Sequence, residues 1–259
     1  MNSYPVISWD SLLCADPGPT ITHSSDADGY PFENISDWRD YTQWKSSETG
    51  ELFVKLDASG LSGQSVTVDT MVIAGHNLGS AEVTGLVLKW SDDDVVYTPC
   101  FNALDPEDDR VIFRLFTEQT RRYFKLVIPS GYSQAPKIGV LFIAKSLQIP
   151  AYPDSGFDPD EQEADLAAQY GRTGRLLGVA ERFRRRRIRA SFSRLPASFI
   201  TDEWLTFFSS HGAKPFFFTW DPEGRPEESY LVRLSEPKIE APYDRAFRSL
   251  SLSMSGVAK

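Results

Sequence analysis

Apolar and polar residues alternate in short runs through most of this 259-residue chain, and the pattern predicts strands. Leu52–Asp57 (LFVKLD) sets Leu52, Val54 and Leu56 against Phe53 and Lys55. Val66–Ala74 (VTVDTMVIA) runs into a turn with two glycines, Gly75-His76-Asn77-Leu78-Gly79. Val83–Trp90, Val95–Tyr97, Val111–Phe116, Tyr123–Ile128 and Ile138–Ile143 follow, separated by turn formers such as Ser91-Asp92-Asp93-Asp94. Short strands at this spacing, with no helix between them, predict a β-sandwich or jelly roll. Residues 1–50 hold no helical period; Trp9, Tyr30, Phe32, Trp38, Tyr41 and Trp44 lie among turn formers, so loops and short strands are expected there.

The second half is punctuated differently. Gln148–Asp165 contains Pro150, Pro153, Pro159 and six acids, a composition that keeps a linker extended. Gly171–Leu195 then carries nine arginines against one acid, Glu181. Read as a strand, Ile188, Ala190 and Phe192 share one face and Arg185, Arg187 and Arg189 the other. Arg182, Arg184 and Arg186 charge the first face at its other end, so that end projects from the core or enters a wet interface. Gly171, Gly174 and Gly178 permit a turn, and the stretch is expected to be a long β-hairpin arm. A two-faced charged hairpin is a poor free-standing element, so neighbours are expected to clasp it.

One helix is expected, Ile200–Gly212, with Thr201 as its cap, Ile200 stapled against Leu205 and Gly212 ending it in the left-handed conformation. Trp204, Phe207, Phe208 and His211 fall at helical spacing on one buried face. Pro215–Trp220, Tyr230–Leu234 and Arg245–Met254 (RAFRSLSLSM) read as strands. The expected fold is mainly β. An N-terminal β-sandwich (jelly roll) spans 1–150 and an acidic, Pro-rich linker 151–170. A C-terminal β-sandwich or barrel with the long hairpin and one α-helix spans 171–259.

Charge sharpens the division. Residues 1–150 hold 11 Lys/Arg and 20 Asp/Glu, hence 11 − 20 = −9; residues 151–259 hold 16 of each, hence zero. An acidic half repels duplex DNA, whose affinity comes from Lys and Arg displacing counterions. Six acids just ahead of nine arginines also form a paired-charge pattern, intramolecular or between subunits, that favours protein contacts over nucleic acid. No apolar run approaches the roughly 18 residues of a membrane span. The N-terminus lacks a secretory pattern, so synthesis into a cytoplasm is expected.

Candidate chemistry is sparse. Cys14 and Cys100 lie far apart and read as reduced thiols. Asp92, Asp93 and Asp94 are consecutive, whereas a calcium loop needs alternating ligands; they read as a solvated turn. His76 and Asn77 sit in a glycine turn whose structural role is to end a strand, and His211 reads as a packed or capping side chain. There is no Gly-x-Ser-x-Gly elbow, phosphate-binding glycine loop or His-Glu-x-x-His, so no enzyme, metal or cofactor is expected. Trp38, Arg39 and Trp44, with His76, are the candidate glycan contacts, against core packing as the other use of the aromatics.

Two resemblances extend this reading. Asn34, Trp38 and Trp44-Lys45-Ser46, the strand ending at Asp57, VIAGHNLGSA and LKWSDDDVVYTP resemble the discoidin-type or galactose-binding-like jelly roll over about residues 30–145. Asp57-Ala58-Ser59-Gly60 departs from that family's compact Leu-Gly. Many such domains bind glycans and many only pack. The later order of hairpin, helix and three strands, with Lys214-Pro215-Phe216-Phe217-Phe218 and Trp220-Asp221-Pro222, resembles the tail-tube-like fold and tail-tip proteins of long-tailed bacteriophages. The resemblance implies a structural subunit of a tail tip or baseplate. It would form a three- or six-fold ring between tail tube and hub, in a virion tail assembled in the host cytoplasm. Arg182, Arg184, Arg185, Arg186, Arg187 and Arg189 would then be the oligomer interface, with DNA at most passing through a lumen. The alternative is a carbohydrate-binding module attaching to a host-surface glycan.

Overall fold

The alternation at Leu52–Asp57 is realised as a strand with Leu52, Val54 and Leu56 buried and the residues between them partly exposed. It belongs to a mainly β protein, seen in a computed structural model that describes residues 4–212, 214–235, 238–239 and 246–257. The first strands are β1 (Val6–Ser8), β2 (Thr20–His23), β3 (Trp44–Lys45), β4 (Leu52–Asp57), β5 (Val66–Ala74) and β6 (Val87–Ser91). Next come β7 (Thr98–Pro99), β8 (Ile112–Arg121), β9 (Tyr123–Ile128), β10 (Lys137–Ile138), β11 (Val140–Ala144) and β12 (Ser146–Gln148). After β13 (Gln162–Tyr170) and β14 (Leu176–Pro196) comes the helix α1 (Leu205–His211). The chain then forms β15 (Phe216–Thr219), β16 (Ser229–Leu234), β17 (Lys238–Ile239) and β18 (Phe247–Val257).

A five-stranded sheet, β2-β4-β9-β6-β7, faces a three-stranded one, β11-β5-β8, with the pair β10-β3 beside them. Leu52, Val54, Leu56, Phe124 and Leu126 from the first meet Val68, Met71, Ile73, Leu141 and Ile143 from the second. This is the expected sandwich. β11 is buried at every position because its sheet is covered on both faces. On the outer face Val72, Ala74, Phe113, Val140 and Phe142 meet Val6 of β1 and Phe217 of β15. The Phe142 and Phe217 rings cross edge to face at 5.0 Å.

The second sheet runs β12-β1-β15-β16-β18-β14-β13, with β17 on β18. Its core is Ile188, Ala190 and Phe192 of β14 and Leu250, Leu252 and Met254 of β18, covered by Phe199, Ile200, Trp204 and Phe207 of the helical segment. Three successive phenylalanines are explained by two covered faces: Phe216 and Phe218 enter this core, and Phe217 faces the sandwich.

Three boundaries depart from the sequence reading. β1 pairs with β12 and β15, Ile7 lying opposite Leu147 and Phe218, so residues 6–8 and 146–148 belong to the second sheet and not to a unit ending at 150. A three-residue strand buried throughout offers no alternation to read. Residues 162–170, expected as linker, form β13, the first strand of the hairpin. Val95–Tyr97, expected as a strand, is a turn organised by Asp93, whose carboxylate accepts from the Val95 and Val96 N–H groups.

The helix also begins and ends differently. Phe199–Trp204 is a wide π-helical turn that continues as α1. Thr201 donates its hydroxyl to the Ser198 carbonyl and caps nothing, and Leu205 is exposed, so it does not staple Ile200. Gly212 has φ −49, not a left-handed value. Glycine is required there by space, since a Cβ would come within 2.7 Å of the Phe208 carbonyl oxygen. Arg245, the expected first residue of the last strand, lies outside the described residues.

Candidate functional site

β14 is 21 residues long, but β18 pairs with it only from Arg185 to Pro196. Between Leu176 and Arg184 its one neighbour is β13. The expected hairpin is therefore present, and its outer part overhangs the sheet by about 30 Å at ~3.3 Å per residue. Its tip is closed by the Gly171 N–H donating to the Arg175 carbonyl at 2.8 Å, with Gly174 at φ +77. Every residue from Arg172 to Arg185 is exposed.

The overhang is not only charged. Leu166 is 58% exposed, Tyr170 65%, Leu176 55%, Leu177 71%, Val179 53% and Phe183 52%, a cluster of large apolar side chains open to solvent on one hairpin. Alternation and the Ala168–Val179 pairing put Leu166, Tyr170, Leu177 and Val179 on one face. Register shifts at Asp165/Leu166 and Gln169/Tyr170 mark bulges, which add twist to a free ribbon. The arginines drew attention to this stretch and hid these residues. The legible signal is period-two spacing of Leu166, Ala168 and Tyr170 ahead of Arg172 and of Leu177 and Val179 between Arg175 and Arg182.

At the arm's base the arginines are engaged within the chain. Arg185 donates to Glu163 at 2.9 Å and Arg187 to the same carboxylate at 3.4 Å. Arg189 pairs with Glu161 at 3.0 Å and Arg184 with Glu181 at 2.7 Å. Arg186 is buried, stacks 4.1 Å over the Tyr230 ring, and donates to Asp160 at 2.9 Å and to the Pro159 carbonyl. Three of the six acids ahead of the arginines are thus their partners, Glu163 on β13 and Asp160 and Glu161 just before it. Hydrogen bonds from Arg185 hold the Glu163 carboxyl below its usual range, and those from Arg184 do the same for Glu181. Burial pushes the Tyr230 phenol up to about 12. Arg172, Arg175 and Arg182, out on the overhang, have no ion-pair partner among the described residues.

The candidate glycan contacts do not form one surface. Trp44 is buried, donating its indole N–H to Asp26 at 2.9 Å beneath the stacked His23 and Phe32 rings. His76 is buried, its Nδ1 accepting from the Leu78 N–H at 3.2 Å. Neither presents an exposed face in this structure: Trp44 packs against His23 and Phe32, and His76 lies inside the Gly75 turn. The turn that holds His76 is a close approach: Gly75 has φ +64, and a Cβ there would collide with the Asp40 carbonyl. Trp38 is half-buried at the junction of the two halves, with φ 67, its ring 5.1 Å from Phe142 and 5.5 Å from His211. Arg39 and Tyr41 beside it are exposed.

The remaining candidates have structural surroundings. His211 is buried against Trp9, Trp38 and Phe207, its Nε2–H donating to the Pro215 carbonyl at 2.8 Å, and burial lowers its pKa. Asp92 and Asp94 diverge, to Arg121 at 2.9 Å and Lys55 at 2.8 Å. Cys14 and Cys100 are free thiols that burial pushes up to about 11 and about 12.

No protein-family model matches the chain, and no curated protein does. Solved structures align with about half of it. Chitosan-binding module 1 from a chitosanase/glucanase of Paenibacillus sp. IK-5 is 17% identical with a TM-score of 0.41, over 53% of this chain and 99% of that one. A pectin-binding carbohydrate-binding module is 22% identical with a TM-score of 0.38, over 49% and 89%. CpGH89CBM32-5 from Clostridium perfringens, solved with GalNAc-beta-1,3-galactose, is 15% identical with a TM-score of 0.42, over 52% and 100%.

Proposed function

We propose that this chain is a structural subunit that closes into a ring with copies of itself, and that the ring belongs to the tail tip or baseplate of a long-tailed bacteriophage. The observation that carries the assembly reading is the arm, a two-stranded overhang with six large apolar side chains more than half exposed. An uncovered hairpin is marginal in water, and clustered exposed apolar residues mark interaction surfaces. β13 is also a free sheet edge, a template for a second chain. Contacts repeated head to tail about a rotation close into rings. The order of hairpin, helix, β15, β16 and β18 supports the tail-tube-like part of the reading. On this reading three or six copies sit between tail tube and hub, with no catalytic role, in a virion tail assembled in the host cytoplasm. Negative-stain electron microscopy of the purified chain at micromolar concentration is expected to show closed rings of one size. Monomer-sized particles at every concentration would end the reading.

A second reading is carbohydrate binding by the first sandwich. It is favoured by the loop holding Trp38, where a bulky residue in the left-handed region stores strain of the kind that clusters at binding sites, with Arg39 and Tyr41 exposed beside it. Saturable binding on a glycan array, lost in Arg39→Ala and Tyr41→Ala, is its test. The two readings are compatible in one subunit.

A further inference from the structure

An arm that reaches beyond its own sheet needs a surface to lie on, and the sheet's two edges differ in character. β13 and β12 are the edges, six strand spacings apart, or about 29 Å at ~4.8 Å each. The arm leaves from the β13 edge. At the β12 edge, Leu115, Phe116 and Pro222 line a groove of about 700 Å³ that also holds Asp69, Glu203 and Glu223. Leu115 is 37% exposed although it sits in the middle of a strand. Glu203 and Glu223 are exposed, with no ion pair among the described residues. Asp69 accepts from the Thr70 hydroxyl and from the Ser146 N–H at 2.7 Å, with no cation beside it among the described residues, and burial raises its pKa. The groove's lining also includes Glu118, paired with Lys145 at 3.0 Å, and one cation, half-buried Arg114, which donates to the Phe113 carbonyl, so acids outnumber cations there four to one.

The arm's tip has the complementary character. Tyr170, Leu176 and Leu177 are exposed and apolar, and Arg172 and Arg175 lack carboxylate partners among the described residues. A second cavity, of about 510 Å³ at the arm's own base, is apolar too, but Arg184, Arg185 and Arg233 line it. Arg184 and Arg185 there are already paired with Glu181 and Glu163, and Arg233 has no carboxylate partner among the described residues, so this cavity offers the tip's two arginines no free acid, whereas the groove offers Glu203 and Glu223.

We infer that the tip of one copy, residues 170–177, seats in the β12-edge groove of the next, its leucines on Leu115 and Phe116 and Arg172 and Arg175 against Glu203 and Glu223. The inference rests on the ring reading and adds the acceptor surface. Donor and acceptor lie at opposite edges of one sheet, so the contact is heterologous and propagates head to tail.

A charge swap followed by sedimentation velocity tests it. Arg172→Glu with Arg175→Glu, and separately Glu203→Arg with Glu223→Arg, are each expected to weaken self-association at least tenfold with unchanged melting. The four substitutions together are expected to restore it. Leu177→Cys with Leu115→Cys is expected to give a covalent ladder of copies on oxidation. If the glutamate variant assembles like the parent, if the combined variant stays dissociated, or if an assembling Leu177→Cys, Leu115→Cys protein gives no ladder, the tip lies elsewhere and the inference fails while the ring reading stands. A parent chain that is monomeric at every concentration overturns both.

Discussion

Replacing Leu166, Leu177 and Val179 by Ser, Ser and Thr strips one face of the arm while leaving its charges untouched. Covering a Leu or Val side chain fully is worth roughly 1.5–3 kcal/mol. The exposures of 58%, 71% and 53% leave a little over half of that to be gained on assembly. This is about 1 kcal/mol per residue, or about 3 kcal/mol per arm contact, a weakening on the order of a hundredfold. The cost to the subunit itself is small, within about 0.5 kcal/mol each, because these side chains already face water. Mass photometry over a dilution series reads the association, and thermal melting in parallel reads the fold. The expected result is a chain that melts like the parent and dissociates at a concentration about a hundred times higher. Equal association of parent and variant would refute the argument, because the face would then remain in water in the assembly.

Other parts of the structure are equally open to test. Phe217→Ala removes a fully buried ring between the second sheet and Phe142, and is expected to lower stability by about 3–5 kcal/mol in urea unfolding; a loss under about 1 kcal/mol would mean that the two halves are not packed there. Gly79→Ala drives a methyl into the Asp108 backbone and is expected to cost about 1–3 kcal/mol, read as a lower melting temperature, with an unchanged melt counting against the close approach. His211 is held neutral by burial, so its folded pKa lies below the unfolded value of 6.5. Below that value the unfolded chain binds a proton that the folded chain refuses, and stability falls with pH until the folded pKa is passed. The drop in melting temperature from pH 7.5 to 5.5 is expected to be larger in the parent than in His211→Gln, and identical drops would contradict the burial argument.

Local patterns were legible in proportion to how far one face of an element met water. β4 and β18 alternate visibly because each has one buried and one wetter face, and LFVKLD and SLSLSM read directly as strands. β1 and β11 are covered on both sides and lose the alternation; which sheet β1 joins depends on Leu147 and Phe218, far away in sequence. The arm was legible from Ile188, Ala190 and Phe192 against the arginines, but the partners of those arginines were not. Whether Glu161 and Glu163 turn to their own chain is decided by the register of β13 against β14, which two bulges shift. Trp44 and His76 look like binding residues in a list of types. Asp26, His23 and Phe32 put the first in the core, and the packing of the Gly75 turn on Asp40 puts the second there. Exposed Leu166, Leu177 and Val179, by contrast, look like ordinary strand residues until the sheet is seen to stop short of them.

The central claim, that the overhang exists to join copies, is tested most directly by removing it. Ala167 and Ala180 are cross-strand partners, so an Asn-Gly turn in place of residues 168–179 closes the hairpin early and removes the outer part of the overhang, with Tyr170, Leu176, Leu177 and Val179. Sedimentation velocity of the intact and shortened chains at equal concentration is the measurement. The intact chain is expected to sediment as a closed oligomer, and the shortened one as a monomer with the same melting temperature. A shortened chain that assembles like the intact one would contradict the account.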